Sequence, residues 1–361
     1  MNKNTRVRPI LSLFKRRAVL SLFSTIIFVF MGAQNPELSA FPSSGYQDLA
    51  DLISEKNVRK HVFEIAGDSY GGRGAGYEGE RKAAKYISRE FEKYGLTPVG
   101  DKLGGTNTFF QEFQFHSRKP EISFQTLSSK NVLGFIEGSD KKLSKEIVVI
   151  GCHYDGQGKA GESDGGRRPA ENPNSTDKIW NSADDNASSV AVLLEMARVI
   201  STHKLHARRS ILFIAFGAEE HALNGSAFYV ENPVFSWDRH VAMLNIEKLG
   251  RVPDKMPITA SGGTSPIWAK IISKANRKTS LDVKSLIHEL ISDTDHYPFA
   301  MRKIPAMVIG MAHEEDTHLP TDSADKISFE KLAERTNYVL KVFLELANTN
   351  EKMTFKGDLE N

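Results

Sequence analysis

EIVVIGCHYD, Glu146 to Asp155, is a nearly unbroken apolar run that ends in two groups able to titrate, His153 and Asp155. A strand with one wet face alternates polar and apolar residues, whereas a run like this suits a strand buried on both faces. Three more of the same kind follow: SILFIAFGAEE (210 to 220), HVAMLNIEKLG (240 to 250) and IPAMVIGMAHEE (304 to 315). ASSVAVLLEMARVI (187 to 200) lies between the first two, and KISFEKLAERTNYVLKVFLELA follows the last; both have helical length and period. Doubly buried strands that alternate with helices predict an α/β fold, with a mostly parallel central sheet and helices on both faces.

Working outward, the 361 residues are 40% hydrophobic and 25% charged, enough for one large core. We expect one domain over residues 45 to 350, entered through a polar connector and first helix (34 to 60) and followed by a polar tail (351 to 361). The glycine-dense stretch GDSYGGRGAGYEGE, Gly67 to Glu80, neither follows a strand nor completes a phosphate-loop pattern, so it predicts an ordered turn before a helix. In that helix Ala83, Ala84, Ile87, Phe91 and Tyr94 recur at helical spacing until Gly95 and Pro98 stop it. Residues 156 to 180 are polar and too long for an ordinary strand-to-helix connection, which suggests a functional rim.

The net charge of +2 is misleading, because Lys3, Arg6, Arg8, Lys15, Arg16 and Arg17 all precede the first acid, Glu37; the remainder carries −4. That gives no case for nucleic-acid binding. Behind Arg17, AVLSLFSTIIFVFMGA (18 to 33) is an apolar run shorter than the ~20 residues of a spanning helix. We expect residues 1 to 33 to be an export signal, either cleaved or kept as an N-terminal anchor, with residues 18 to 33 the sole membrane contact. The rest would then work in the periplasm or outside the cell. Cys152 is the one cysteine, so neither an intramolecular disulfide nor a thiolate metal cluster can form.

Each buried run ends in polar residues at its carboxyl side: His153 and Asp155; Glu219 and Glu220; Asn245 and Glu247; His313 and His318. NSADDNASS (181 to 189) adds Asp184 and Asp185 at the turn into a helix. In open parallel sheets the ligand crevice lies beyond the carboxyl ends of the strands, so these residues are candidates for one site. Carboxylates gathered there repel one another and lose hydration unless positive charge is supplied. A divalent metal answers that need, and imidazole nitrogen with carboxylate oxygen is the donor mixture of catalytic zinc. The acids outnumber the needs of one ion, and a carboxylate can bridge two. Of Glu219 and Glu220, one is expected as ligand and the other as a base.

HYD at 153, SADDNAS at 182, FGAEEHALNGS at 216, NIEKLG at 245, SDTDHYPF at 292 and HLPTD at 318 occur in an order that resembles the zinc aminopeptidase family, which also contains glutamate carboxypeptidase and glutaminyl cyclase. The resemblance spans roughly residues 60 to 345 and implies a zinc-exopeptidase-like fold. It implies that His153 binds one zinc, that Asp185 bridges two, and that Glu220 and His318 bind the second. Glu247 stands where the family commonly has Asp and is retained as a ligand. Glu219 is implied as general base and Asp155 as the partner that orients His153. A cis peptide is implied after Asp185.

His313 competes with His318, which is preferred because Asp322 follows it at the family's spacing; His313 then lines the pocket. Asp295 and His296 are expected in a pocket wall or hydrogen-bond network, and Asp184 as an acceptor that fixes backbone. The expected activity is that of an exported aminopeptidase acting on peptides with a free N-terminus. Alternatives are a single-zinc glutaminyl cyclotransferase, a metallocarboxypeptidase, for which no basic cluster is evident, and a zinc-free receptor-like protein.

Overall fold

The computed structural model describes residues 47–116, 125–163, 176–205, 207–251, 259–277, 279, 281, 283, 290–310 and 316–356. The expected export segment 1–33, the middle of the expected rim loop and His313 lie outside the described residues. Eight strands form the main sheet: β1 (Thr97–Pro98), β2 (Phe110–His116), β3 (Thr126–Ile136), β4 (Ile147–His153), β5 (Ser210–Phe216), β6 (His240–Glu247), β7 (Thr259–Ser261) and β8 (Ala306–Gly310). Their order is β1-β3-β5-β4-β6-β8-β7, with β2 paired to β3. The four central strands, β5, β4, β6 and β8, are mutually parallel and are the four apolar runs of the sequence.

Antiparallel strands close both edges. The hairpin β2–β3 was not foreseen, and its reason is visible in the residues. FQEFQFH alternates buried and exposed positions, a one-faced strand, while β3 carries Ser128, Ser129, Lys130 and Asn131, polar residues that break any apolar run. Asn131 is nevertheless buried, donating to Gln111 Oε1 and the Gly225 carbonyl.

Side chains of the central strands alternate between two cores. Val148, Ile150 and Cys152 of β4 join Ile211, Phe213 and Ala215 of β5 on one face; Ile147 and Val149 join Leu212, Ile214 and Phe216 on the other. The first face is covered by α1 (Glu55–Ile65), α2 (Glu78–Lys93), α3 (Ser189–Thr202), α5 (Ile267–Asn276) and α7 (Phe329–Asn348). The second is covered by α4 (Asn224–Glu231) and α6 (His296–Met301) through Tyr229, Val230, Phe299 and Ala300. Burial on both sides is what the unbroken apolar runs require. Cys152 is fully buried within the first core.

The glycine-dense stretch forms a 3-10 turn, Asp68–Arg73, ahead of α2. Glycine is needed at Gly72, where φ is +67° and a Cβ would sit 2.3 Å from the carbonyl oxygens of Gly158 and Trp180. The described residues all fall in one compact unit, Ser44–Asn361. Among them, no helix is long and apolar enough to cross a membrane.

Candidate metal centre

The parallel strands end together, and their polar tips converge. His153 is the last residue of β4 and Glu247 the last of β6; His153 Nε2 lies 3.0 Å from Glu247 Oε1. Asp185 sits in the turn Ala183–Ser188 that starts α3, with Oδ1 3.2 Å from the same His153 nitrogen. Its other oxygen, Oδ2, lies 3.3 Å from His318 Nε2, which is 3.6 Å from Glu220 Oε2. Asp185 thus faces one imidazole with each oxygen, and each imidazole has a further carboxylate of its own. Glu219 Oε2 is 3.9 Å from His153 Nε2.

β5 ends at Phe216, and Ala218 then turns with φ +53°, so Glu219 and Glu220 leave the strand before they are reached. Asp155 holds that turn: Oδ1 accepts the Glu219 N–H at 3.0 Å and Oδ2 the Glu220 N–H at 3.1 Å. Its Oδ1 lies 3.5 Å from His153 Nδ1, a charge contact longer than a hydrogen bond.

A parallel device fixes the Asp185 turn. Asp322 accepts the backbone N–H groups of Asp184 and Asp185 at 3.0 and 3.1 Å. Asp184 Oδ1 accepts the Gly250 N–H at 2.6 Å, and Asn186 bonds the Ile246 carbonyl and the Lys248 N–H. These bonds tie the turn to the end of β6, next to Glu247. The Asp185–Asn186 peptide is cis.

Arg73 is fully buried and donates to four carbonyls: Tyr154 at 2.9 Å, Ile65 at 2.8 Å, Asn181 at 2.8 Å and Ser182 at 2.7 Å. It clips the residue after His153 to the residues before Asp184. Neither this role nor that of Asp322 was read from the sequence, although both residues lie inside quoted motifs.

Electrostatics follow from four gathered carboxylates. Burial alone would lower the His153 pKa, but Glu247 and Glu219, with Asp155 and Asp185 beside the ring, hold it well above the usual range. Burial would raise the Asp185 pKa, yet Lys248, His153 and His318 hold it well below the usual range. Lys248 Nζ is 3.9 Å from Asp185 Oδ2, a lysine facing acids that the sequence reading had passed over. Asp295 and His296 are fully buried: burial pushes Asp295 up to about 7, within the fields of His153 and Glu247, and pushes His296 down to about 3, beside Thr294.

The donor set fits a divalent cation. One atom each from His153, Asp185 and Glu220 lies within 4.8 Å of the others, all three residues are buried, and the mixture is imidazole nitrogen with carboxylate oxygen. Such a group of acids is costly to bury without added positive charge.

Comparison with known proteins agrees with this architecture. The model of peptidase family M28 matches residues 131–343. Aminopeptidase YwaD of Bacillus subtilis (strain 168) is 27% identical over 271 residues, covering 72% of this chain and 53% of that protein, so the chain matches about half the length of that curated relative. Among solved structures, a zinc aminopeptidase from Bacillus subtilis superposes with a TM-score of 0.64 at 18% identity, over 85% of this chain and 99% of that one. The glutaminyl cyclase of Porphyromonas gingivalis superposes with a TM-score of 0.61 at 17% identity, over 82% and 99%. At such identities these two superpositions speak for the fold alone.

Proposed function

The chain belongs to peptidase family M28, and from that premise we propose that it is an exported metallo-aminopeptidase, which uses two zinc ions to hydrolyse the N-terminal peptide bond of peptides with a free amino terminus. The observation that carries this reading is the division of Asp185, one oxygen toward His153 and Glu247, the other toward His318 and Glu220. Each half offers one imidazole and one private carboxylate, with Asp185 shared, a donor arrangement suited to a pair of ions. The likeness to aminopeptidase YwaD supports the same class of reaction.

His153, Glu247 and Asp185 Oδ1 would hold one zinc; His318, Glu220 and Asp185 Oδ2 the other. Zinc bound there supplies Lewis acidity, polarising the scissile carbonyl and lowering the pKa of water from 15.7 to about 7. Glu219 takes the proton of the attacking water and returns it to the departing amine. Asp155 keeps Glu219 and Glu220 at a fixed separation by holding both of their backbone N–H groups. Asp322 and Arg73 do the same for the Asp185 turn.

The test is a panel of aminoacyl p-nitroanilides, with free and acetylated amino groups, assayed before chelation, after it, and after zinc is restored. Zinc-dependent cleavage confined to free amines is the expected result, and it would name the preferred side chain. Silence from a folded, zinc-loaded protein would overturn the proposal. The Porphyromonas gingivalis cyclase shares this fold, so a single-zinc cyclotransferase is the second reading. It would show itself as ammonia released from peptides with N-terminal glutamine and as one zinc per chain.

A further inference from the structure

Lys248 lies at the centre without a task in this mechanism. It directly follows Glu247, yet its ammonium returns to within 3.9 Å of Asp185 Oδ2. The return depends on a left-handed backbone, φ +45°, a conformation uncommon for a residue with a side chain. Asn186 Oδ1 accepts the Lys248 N–H at 3.1 Å and holds that conformation from the same turn that carries Asp185. A strained position fixed by its surroundings at a reactive centre points to a use.

Exposure indicates which use. The side chains of His153, Asp185, Glu219, Glu220 and Glu247 are all 6% exposed or less, whereas those of His318 and Lys248 are 23% and 16% exposed. Lys248 and His318 are thus the side chains of this group that reach solvent, although most of Lys248 is buried. On the two-zinc reading, Asp185, Glu220 and Glu247 would hold the ions, whose charge would offset these acids and Glu219 beside them. Asp185 then has stronger partners than an ammonium 3.9 Å away, and the lysine charge is left for an anion on the substrate.

We propose that Lys248 is a specificity residue that binds a carboxylate carried by the substrate within one residue of the scissile bond. This rests on the proposed peptidase reading and names its substrate class. Two sources share that chemistry: an acidic first side chain, and the terminal carboxylate of a dipeptide. The sequence held no basic cluster for such a group; the fold supplies Lys248 instead.

The test uses the full chain loaded with zinc, as wild type, Lys248→Met and Lys248→Glu, with zinc content and melting temperature measured for each. Glutamyl against glutaminyl p-nitroanilide reads the side-chain source, because the two differ in charge and hardly in shape. Leucyl-glycine against leucyl-glycinamide reads the terminal source. In one of these pairs the wild type should favour the carboxylate by on the order of tenfold or more in kcat/KM, the range of a charge-assisted hydrogen bond. Lys248→Met should erase that ratio and Lys248→Glu invert it. Ratios near one in both pairs, or a ratio untouched by Lys248→Met, overturn the inference while leaving the peptidase reading intact. If nothing is cleaved, the peptidase reading fails, and calorimetric titration of glutamic acid α-amide against glutamine α-amide, and of leucyl-glycine against leucyl-glycinamide, decides: a carboxylate preference in either pair that is lost in Lys248→Met sustains the subsite, and equal binding in both pairs removes it.

Discussion

Glu219 and Glu220 are chain neighbours, both buried, so neither residue type nor burial separates a base from a ligand; position does. Glu220 points to His318, an imidazole shared with Asp185, while Glu219 lies 3.9 Å from His153, the longest of that nitrogen's carboxylate distances. Replacing Glu219 by Gln keeps length and volume but removes the group that can hold a proton. Turnover should fall by roughly 10²–10⁴-fold, while zinc per chain, measured by atomic absorption, stays at the wild-type value. Loss of one zinc would make Glu219 a ligand, and near-normal turnover would take it out of the proton path. Most of the centre was legible, because residues at strand ends in parallel order point to one crevice, and because several short motifs occurred in a known order. Lys248 was not legible although it stands in the quoted NIEKLG: the residue after a strand-end ligand meets Asp185 only if its backbone turns left-handed, which no spacing reveals. Glu247 was retained despite its extra methylene, and its Oε1 does lie 3.0 Å from His153.

At the scale of elements, the decisive connection is the one made by Arg73. Its guanidinium gathers a helix end (Ile65), the turn after β4 (Tyr154) and the approach to the Asp185 turn (Asn181, Ser182). Burial lowers its pKa to about 10, with Asp155 and Asp322 opposing, so it stays charged near neutrality and its field favours the nearby acids. Arg73→Met leaves those four carbonyls buried without their donor. We expect a loss of about 3–5 kcal/mol, read in a calorimeter as a melting temperature lower by roughly 5–10 °C. Because the clipped segments carry His153 and Asp185, zinc affinity should drop with it. Arg73→Lys, with fewer donors but the same charge, should fall between. A Met variant that melts within about 2 °C of wild type and keeps its zinc would show the clip to be dispensable. The same scale explains an element missed in the sequence: β3 buries Ser129 and Asn131 because side chains answer them, Glu80 accepting from the Ser129 hydroxyl and Gln111 accepting from Asn131. Hydrophobic patterning has no symbol for a polar residue that is buried because it is paired.

The whole molecule adds a dependence on pH that belongs to no single site. His61 lies in the core between α1 and α2, with its ring nitrogens near the hydroxyls of Tyr86 and Tyr94; His240 starts β6, between the Tyr229 hydroxyl and the Ser236 carbonyl. Burial pushes both down to about 4 from the ordinary 6.5. Below pH 6.5 the unfolded chain takes up protons that the folded chain refuses until about pH 4. Their stabilisation is therefore complete above 6.5 and is lost as pH falls through that window, at about 3 kcal/mol each. That is a large share of the ~5–15 kcal/mol that holds a typical fold. Glu80 works against them: burial, with Asp155 adding to it, raises its carboxyl to about 8, so its contribution grows as pH falls toward its unfolded value of 4.5. A bare acid titration mixes these signs with release of metal ligands, so the comparison must be with a His61→Gln/His240→Gln protein, in which Glu80 and the metal centre are unchanged and cancel. Chemical denaturation at pH 7.5, 6.5, 5.5 and 4.5 should then show stability falling more steeply in wild type than in the double variant. The gap between the two slopes should open below about pH 6.5 and approach two protons. Parallel slopes would mean that the two imidazoles titrate in the folded protein as they do in water.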